Sequence, residues 1–385
     1  MRHERPGAAV SRQPYARPTR MGLTMRLSEK VLDLARWAPS GDNTQPWRFE
    51  IRSDTEFIVH GYDTSAHCVY DLDGAASQFA HGTLLETAAL AATRFGCRAE
   101  ISALSESPGT GGHIVYRVVL VPDPKMAEDP LVASIAERVV QRRPLSTRAL
   151  SDKEKSALAE AVQPYRIVWM DTLGKRWRMA ALNAFSAHIR LTIPEAFAVH
   201  KATIDWDATT SEDRMPGPAL GAPWFLLPIM RSAMDSWERV DFFNRYLGGT
   251  VMPRMFLDWL PGLMCSAQFA LIAPGTAQRP SDYVAAGRAT QRFWLTATRL
   301  GFQVQPLYTP LVFANFARQQ RNFTVVDAAK ARAKVVAARL DDIFGAESAQ
   351  RAVFLGRLGP TGSVKGRSIR RPLEQLIVTE APETV

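Results

Sequence analysis

Two stretches of this chain carry residue types and spacings that could bind a ligand and do chemistry with it. The first is Ala38-Pro39-Ser40-Gly41-Asp42-Asn43-Thr44-Gln45-Pro46-Trp47. Ser40, Asn43, Thr44 and Gln45 put hydroxyls, amides and backbone N–H groups on one tight loop, a set able to hydrogen-bond a polar planar ligand. The same Ser/Asn/Gly chemistry also builds an ordinary helix-to-strand turn. The second stretch is Gln141-Arg142-Arg143-Pro144-Leu145-Ser146-Thr147-Arg148-Ala149-Leu150. Two adjacent guanidinium groups, a hydroxyl pair and a third Arg suit a phosphate joined to a polyol: Arg forks onto phosphate oxygens, and Ser or Thr bonds hydroxyls. A solvated basic loop is the alternative.

Other chemistries find little support. His60, His67, His81, His113, His188 and His200 are scattered, with no metal-ligand spacing, so no metal site is expected. There is no P-loop, no G-x-S-x-G and no catalytic dyad. His81 falls within an apolar helical run and reads as a satisfied structural histidine. Cys68, Cys97 and Cys265 are isolated thiols, which fits a reducing, cytoplasmic setting. The net charge of +9 and pI ≈ 9.7 invite a nucleic-acid partner. The arginines, however, fall in separate clusters with few interleaved aromatics, so nucleic acid is not expected. No run reaches membrane-spanning length. Residues 1–26 are Arg- and Pro-rich without an apolar core and read as a disordered basic tail, with Met21 or Met25 as possible starts.

The elements that must position the two stretches follow from periodicity. Pro39 disfavours helical geometry at Ala38, so a helix over 28–37 stops there. Strands are expected near 47–52 and 56–61, then a core helix over 74–95 and strands near 98–104 and 113–121, joined as a hairpin through 107–112. Further on, helices are expected near 131–140, 152–162 (with Ser151 as N-cap), 174–190, 281–300, 310–318 and 325–343, and strands near 166–170, 265–273 and 352–358. Gly82–Glu100 and Gly287–Gln305 align without a gap, matching Gly82/Gly287, Leu90/Leu295, Ala92/Ala297, Thr93/Thr298, Arg94/Arg299 and Gly96/Gly301. Each reads as a long apolar helix stopped by a glycine, and two such helices can pack closely at the centre of a fold. Within the second half, residues 194–262 hold four Trp and seven Pro, and read as a helical excursion or as a lid over a pocket. The acidic run Asp205, Asp207, Glu212 and Asp213 in that segment reads as a solvated loop.

The Ala38–Trp47 string resembles the A-P-S-x-x-N-x-Q-P-W signature of the FMN-dependent nitroreductase superfamily. Gln141–Leu150 is similar to the R-[RH]-S-x-[RK] segment that opens such chains, with Pro144-Leu145 inserted. Arg357-Leu358-Gly359, followed by Lys365-Gly366-Arg367-Ser368-Ile369-Arg370-Arg371-Pro372-Leu373-Glu374, resembles the basic end of many members. The resemblance implies an α+β, nitroreductase-like fold. Each motif occurs once, so it also implies a fused pseudo-dimer of the tandem type similar to Acg- or MoeY-like proteins. Its halves are 27–125 and 126–385, with 194–262 inserted in the second. One composite FMN site would then lie between the halves. Pro39, Ser40, Asn43 and Gln45 would meet the ring. Arg142, Arg143, Ser146, Arg148, Lys365, Arg370 and Arg371 would hold the phosphate and ribityl end. Tyr308 and Thr309 would bring a backbone N–H toward flavin N5. The implied activity is NAD(P)H-driven reduction of a small electron-poor acceptor, with no catalytic side chain. A non-catalytic flavin-sequestering protein and a biosynthetic flavin oxidase partner are the alternatives. The chain would act as a monomeric pseudo-dimer or as a homodimer, away from membranes.

Overall fold

The computed structural model describes residues 25–106, 112–362 and 364–379. The expected tail (but for Met25 and Arg26) and most of the 107–112 hairpin loop lie outside them. Helix α1 (Leu27–Ala35) buries Val31, Leu32, Leu34 and Ala35, the one-sided spacing of a helix packed on a core. It ends short of Pro39, as the sequence requires. Strands β1 (Trp47–Ile51), β2 (Glu56–Tyr62), β3 (Cys97–Glu106) and β4 (His113–Pro122) form an antiparallel sheet of order β1-β2-β4-β3. Trp47 pairs with Gly61 and Phe49 with Val59. Ile114, Tyr116, Val118 and Leu120 alternate inward along β4, the period of two of a half-buried strand.

A second antiparallel sheet has the order β10-β11-β9-β5. It is built from β5 (Arg166–Met170), β9 (Ala267–Ile272), β10 (Gln303–Pro306) and β11 (Ala352–Gly359). Around it pack α3 (Asp152–Glu160), α4 (Leu173–Thr192), α10 (Pro280–Arg299), α11 (Thr309–Arg318), α12 (Asp327–Phe344) and α13 (Ala346–Arg351). Ser151 caps α3 by accepting from the Glu154 N–H, as expected. The result is an α+β protein with two separate antiparallel sheets.

The expected helix over 131–140 is absent; only a short 3₁₀ turn, Val132–Ser134, forms there. Tertiary contacts override the helical pattern. The Arg138 guanidinium donates to the Trp37 carbonyl and lies 4.7 Å from the Trp294 ring. Val140 then bridges to Val304, drawing the chain out as an extended segment.

The two helices singled out by the sequence alignment meet at the centre. Helix α2 (Ala75–Thr93) is buried on nearly every face, as befits a core helix. It crosses α10 with Gly82 and Gly287 at the contact. A Cβ on Gly82 would stand 2.0 Å from the Val284 carbonyl oxygen, and one on Gly287 would stand 2.0 Å from that of Phe79. Each glycine therefore meets the other helix's backbone, the reciprocal pattern of a self-complementary contact. Around the crossing, Gln291 Nε2 donates to Thr87 Oγ1 at 2.9 Å, and Arg288 and Arg292 both pair with the buried Glu86.

The inserted segment contains α5 (Pro194–Thr203), β6 (Ile204–Asp205), β7 (Thr210–Ser211), β8 (Met215–Pro216), α6 (Leu226–Ala233) and α7 (Trp237–Tyr246). Beyond these, α8 (Val251–Pro253) and α9 (Leu260–Leu263) flank a π-helical turn, Arg254–Trp259. Helix α7 buries none of its residues, and Trp224 is 84% exposed. The inner edge is anchored: β7 pairs in parallel with β12 (Arg367–Ser368), just before α14 (Leu373–Leu376). The acidic run is more than a solvated loop. Asp205, Asp207 and Asp213 pair with Arg214, Arg231 and Arg371, respectively.

Candidate functional site

The Ala38–Trp47 loop is tightly wound. Asp42, Asn43 and Gln45 all take left-handed backbone (φ 46°, 66° and 50°), costing of order 1–3 kcal/mol each, a conformation that persists only where neighbours enforce it. Those neighbours are visible. Ser40 Oγ accepts from the Gln45 N–H at 2.9 Å, and the Pro39 carbonyl accepts from Thr83 Oγ1 on α2. Gln45 is fully buried; its amide donates to the carbonyls of Asn43 and Glu212, and its Oε1 accepts from the Arg371 N–H. The Asn43 amide donates to the carbonyls of Glu212 and Ile369. Asn43 and Gln45 thus hold the insertion and the C-terminal segment in place with their N–H donors. Asn43 Oδ1 remains buried with no partner.

The second motif is fixed from beneath by Arg357 on β11. This guanidinium is fully buried. It donates to Gln305 Oε1 at 2.5 Å and to the carbonyls of Arg142 at 2.7 Å and Arg143 at 2.8 Å. Burial pushes its pKa down to about 10. The side chain of Arg142 lies within electrostatic reach of Asp42 of the first motif and donates to the Ala219 carbonyl of the insertion. Gly221, at φ +81°, packs so closely on Arg142 that a Cβ would stand 2.8 Å from Arg142 Cβ. Arg143 is half-buried, and its Nε has no partner. Ser146 is exposed at the strand edge, where its N–H donates to the Pro360 carbonyl. Arg148 is spent elsewhere: it forks onto Glu154 at 2.8 and 3.1 Å and covers the Phe302 ring.

In the C-terminal segment, Arg370 is buried against backbone, donating to the carbonyls of Ala38 and Ile369, and burial lowers its pKa to about 9. Arg371 pairs with Asp213 and Lys365 is exposed. Tyr308 and Thr309 stand at the N-terminus of α11, whose first N–H groups have no intrahelical acceptor.

Between these segments lies a polar recess that sequence reasoning did not assemble. Asp42, Tyr70, Arg142, Arg190, His200 and Asp258 are enclosed by protein yet keep accessible surface, as residues lining a hollow do. Arg190 forks onto Asp258 at 2.9 and 3.0 Å. Tyr70 Oη and His200 Nε2 share a hydrogen bond of 3.0 Å. Burial raises the Asp42 carboxyl above the usual carboxylate range, against the pull of Arg142 and Arg190. Burial, with the Arg190 charge, lowers His200 to about 3, leaving it neutral at ordinary pH. The Cys68 thiol is pushed up to about 12 by burial and by Asp42, and its field also reaches Tyr308. The electrostatic coupling therefore extends from Arg142 through Asp42 and Cys68 to Tyr308 at the start of α11. Two surface clefts elsewhere, one beside Pro164 and Arg351 and one beside Trp177 and Arg339, share no residue with it.

His81 is buried with Nε2 3.0 Å from the Pro46 carbonyl, a structural position. Among the described residues no cluster of His, Cys, Asp or Glu could hold a metal, and no helix is long and apolar enough to cross a membrane. Asp42 occupies a variable position of its motif, and Tyr70, Arg190, His200 and Asp258 carry no local signal. Spacing alone could not have found them.

No protein-family model and no curated protein matches the chain. Among solved structures, a nitroreductase-like family protein from Bacillus cereus is 14% identical over 66% of this chain and 97% of its own length, with a TM-score of 0.32. A nitroreductase with bound FMN from Desulfitobacterium hafniense DCB-2 is 17% identical over 65% and 97%, at 0.34. The FMN-dependent nitroreductase NfnB from Mycobacterium smegmatis, in complex with NADPH, is 14% identical over 63% and 94%, also at 0.34. Likeness at this level carries no functional argument.

Proposed function

We propose that this chain is an FMN-binding, nitroreductase-like oxidoreductase that takes electrons from NAD(P)H and passes them to a small electron-poor acceptor. In this reading it is a fused pseudo-dimer, with one composite site between residues 27–125 and 126–385. The observation that carries the reading is that the remote motif segments come together, the C-terminal segment bonding the first loop through Arg370 and Arg371 and Asp42 lying within electrostatic reach of Arg142. The reciprocal crossing at Gly82 and Gly287 supports the pseudo-dimer.

The residues present fit the cofactor with a narrower set than the motifs imply. Arg142 and Arg143 would hold the phosphate: they are adjacent, their backbone is pinned by Arg357, and Arg143 Nε is buried without a partner. Asn43 Oδ1 is an unused buried acceptor, and Ser40 keeps a hydroxyl proton to donate. The first N–H groups of α11, at Tyr308 and Thr309, are open donors. Arg148, Arg370 and the amide groups of Asn43 and Gln45 act as struts. Bound FMN would supply the two-electron chemistry. The chain's own work is to bind the phosphate, fix the loop geometry and exclude water by closing the insertion over the recess.

The enclosure favours one second reading, a flavin-sequestering protein. The insertion is tied to Asn43, Gln45, Arg142 and β12, which would deny NAD(P)H an entrance. The visible absorption spectrum of the purified protein tests both. A flavin band at roughly one FMN per chain supports a single site, and protein that stays colourless with added FMN refutes it. Anaerobic NADPH bleaches the band in a reductase and leaves it unchanged in a sequestering protein.

A further inference from the structure

Helix α4 carries a further cluster of aromatic and basic groups, away from the motif residues, whose reading does not depend on the flavin reading. Trp177, Ala181, Phe185 and His188 recur along α4 at i, i+4, i+8 and i+11, so they share one stripe. The facing stripe of α12 carries Arg332 and Arg339, seven residues apart. Both guanidinium groups close on the same ring: Arg339 Cζ lies 3.9 Å and Arg332 Cζ 4.4 Å from the centre of Phe185. Arg254, from the π-helical turn, donates through Nε to the Ala184 carbonyl beside them.

This cluster is uncompensated. Arg254, Arg332 and Arg339 make no ion pair among the described residues, whereas most other arginines of the chain do. Burial, then Arg254 and Arg339, lower Arg332; burial, then Arg332 and Arg254, push His188 down to about 4. Like charges held this close repel one another, and burial weakens the screening. His188 Nδ1 is itself buried with no partner. Phe185 offers its ring faces to two cations; among the described residues no carboxylate comes within ion-pair distance of them, although Asp258 acts on Arg254 and Asp342 lines the groove beside Arg339. Alongside runs a groove of about 280 Å³, lined by Trp177, Arg178, Leu182, Arg339 and Asp342 among others. Trp177 at its far end is 52% exposed, its ring edge-on to Trp259 at 5.0 Å. From Trp177 to Phe185 the helix rises about 12 Å.

We propose that this groove, together with the arginine cluster that adjoins it at Arg339, binds a phosphorylated ligand of the nucleotide class. Its phosphates sit among Arg254, Arg332 and Arg339, where forked donors match phosphate oxygens. Its base stacks on Trp177, and Asp342 at that end meets a ribose hydroxyl rather than a phosphate. The Phe185 ring holds the two α12 guanidinium groups as a preformed clamp.

The test is calorimetric titration of the full chain with ADP and with inorganic pyrophosphate, without added flavin, the arginine variants below telling this groove from any phosphate site in the recess. Both probes bind, and ADP alone quenches tryptophan fluorescence. Arg332→Gln and Arg339→Gln each weaken both probes by about tenfold or more, as loss of a charged hydrogen bond does, and flatten the salt dependence. Arg332→Lys, which keeps the charge and loses the fork, also weakens binding and guards against a folding defect in the Gln variants. Trp177→Ala weakens ADP and spares pyrophosphate, which separates a nucleotide from free phosphate as the natural occupant. Absence of binding by either probe at millimolar concentration overturns the proposal. So does binding that survives all three Arg variants, which would locate it elsewhere. Because these readouts use no NADPH and no flavin band, they fail or succeed independently of the oxidoreductase reading.

Discussion

Replacing Arg357 by Met should do more harm than its distance from any ligand suggests. Methionine fills part of the volume and removes the guanidinium. Three short bonds disappear, to Gln305 Oε1 and to the carbonyls of Arg142 and Arg143, at 2.5, 2.7 and 2.8 Å. Hydrogen bonds to a charged group contribute about 1.5–3 kcal/mol each, so the gross loss is roughly 4.5–9 kcal/mol. Removing a charge that is fully buried returns several kcal/mol of desolvation, which leaves a net loss of about 3–5 kcal/mol. With a urea slope of about 3 kcal/mol/M, the midpoint falls by about 1–1.7 M. The freed backbone of 141–143 also lets Arg142 and Arg143 drift, and a shift near 1 Å at a binding group can cost about a hundredfold. FMN affinity, read by flavin fluorescence quenching, therefore drops by at least about tenfold in the fraction that remains folded. Arg357→Lys keeps the charge, loses the fork and falls between the two. A methionine variant with an unchanged urea midpoint and unchanged FMN affinity would show that Arg357 is no strut.

Gly82→Ala places a methyl group where the Val284 carbonyl stands at 2.0 Å. Thermal melting should show a loss of about 3 kcal/mol or more despite alanine's better helix propensity, and a rise in Tm would refute the close crossing. Arg143→Ala weakens FMN by about tenfold or more in equilibrium titration, whereas Arg148→Ala, whose side chain is already bound to Glu154, changes it less than about twofold. Arg370→Ala acts on stability first: urea unfolding shifts by about 2–4 kcal/mol because buried carbonyls of Ala38 and Ile369 lose their donor. Part of the pH dependence of stability follows from two partly buried histidines. Their folded pKa values, about 3 for His200 and about 4 for His188, lie below the unfolded value near 6.5. Between those values the unfolded chain binds more protons, so stability is full above pH 6.5 and falls as pH drops toward 4, by up to about 1.4 kcal/mol per pH unit for each histidine. Urea midpoints measured from pH 7 to 4.5 should show a slope of this sign, and His200→Gln should make it shallower.

Much of the architecture was legible because periodicity and breakers encode it locally. Pro39 ended α1, Gly96 and Gly301 took left-handed backbone after α2 and α10, and the apolar alternation of β4 marked its sheet. The segment 131–140 was not legible, since a buried cation on Trp294 and a bridge to Val304 outweigh its helical pattern. The motif residues were visible, but their work was not. Asn43, Gln45 and Arg370 look like ligand contacts in sequence, and the fold spends their donors on backbone carbonyls of remote segments. Asp42, Arg190, His200 and Asp258 come together only through tertiary structure, so no window of sequence reveals the recess.

The glycine crossing of α2 and α10 also bears on how the chain comes to be folded. The core beneath the first sheet is completed by Leu295 of α10 and by Leu373 and Leu376 of α14. While it is being synthesised, the N-terminal sheet must wait for about two hundred further residues before its central helix finds its partner, a long loop to close. Until then α2 presents an apolar surface with a bare glycine notch, the kind of exposed face that holds nascent chains on chaperones or draws them into aggregates. Co-expressed fragments cut between β4 and α3 would share this dependence. Each should be poorly soluble alone, and together they should recover a folded complex.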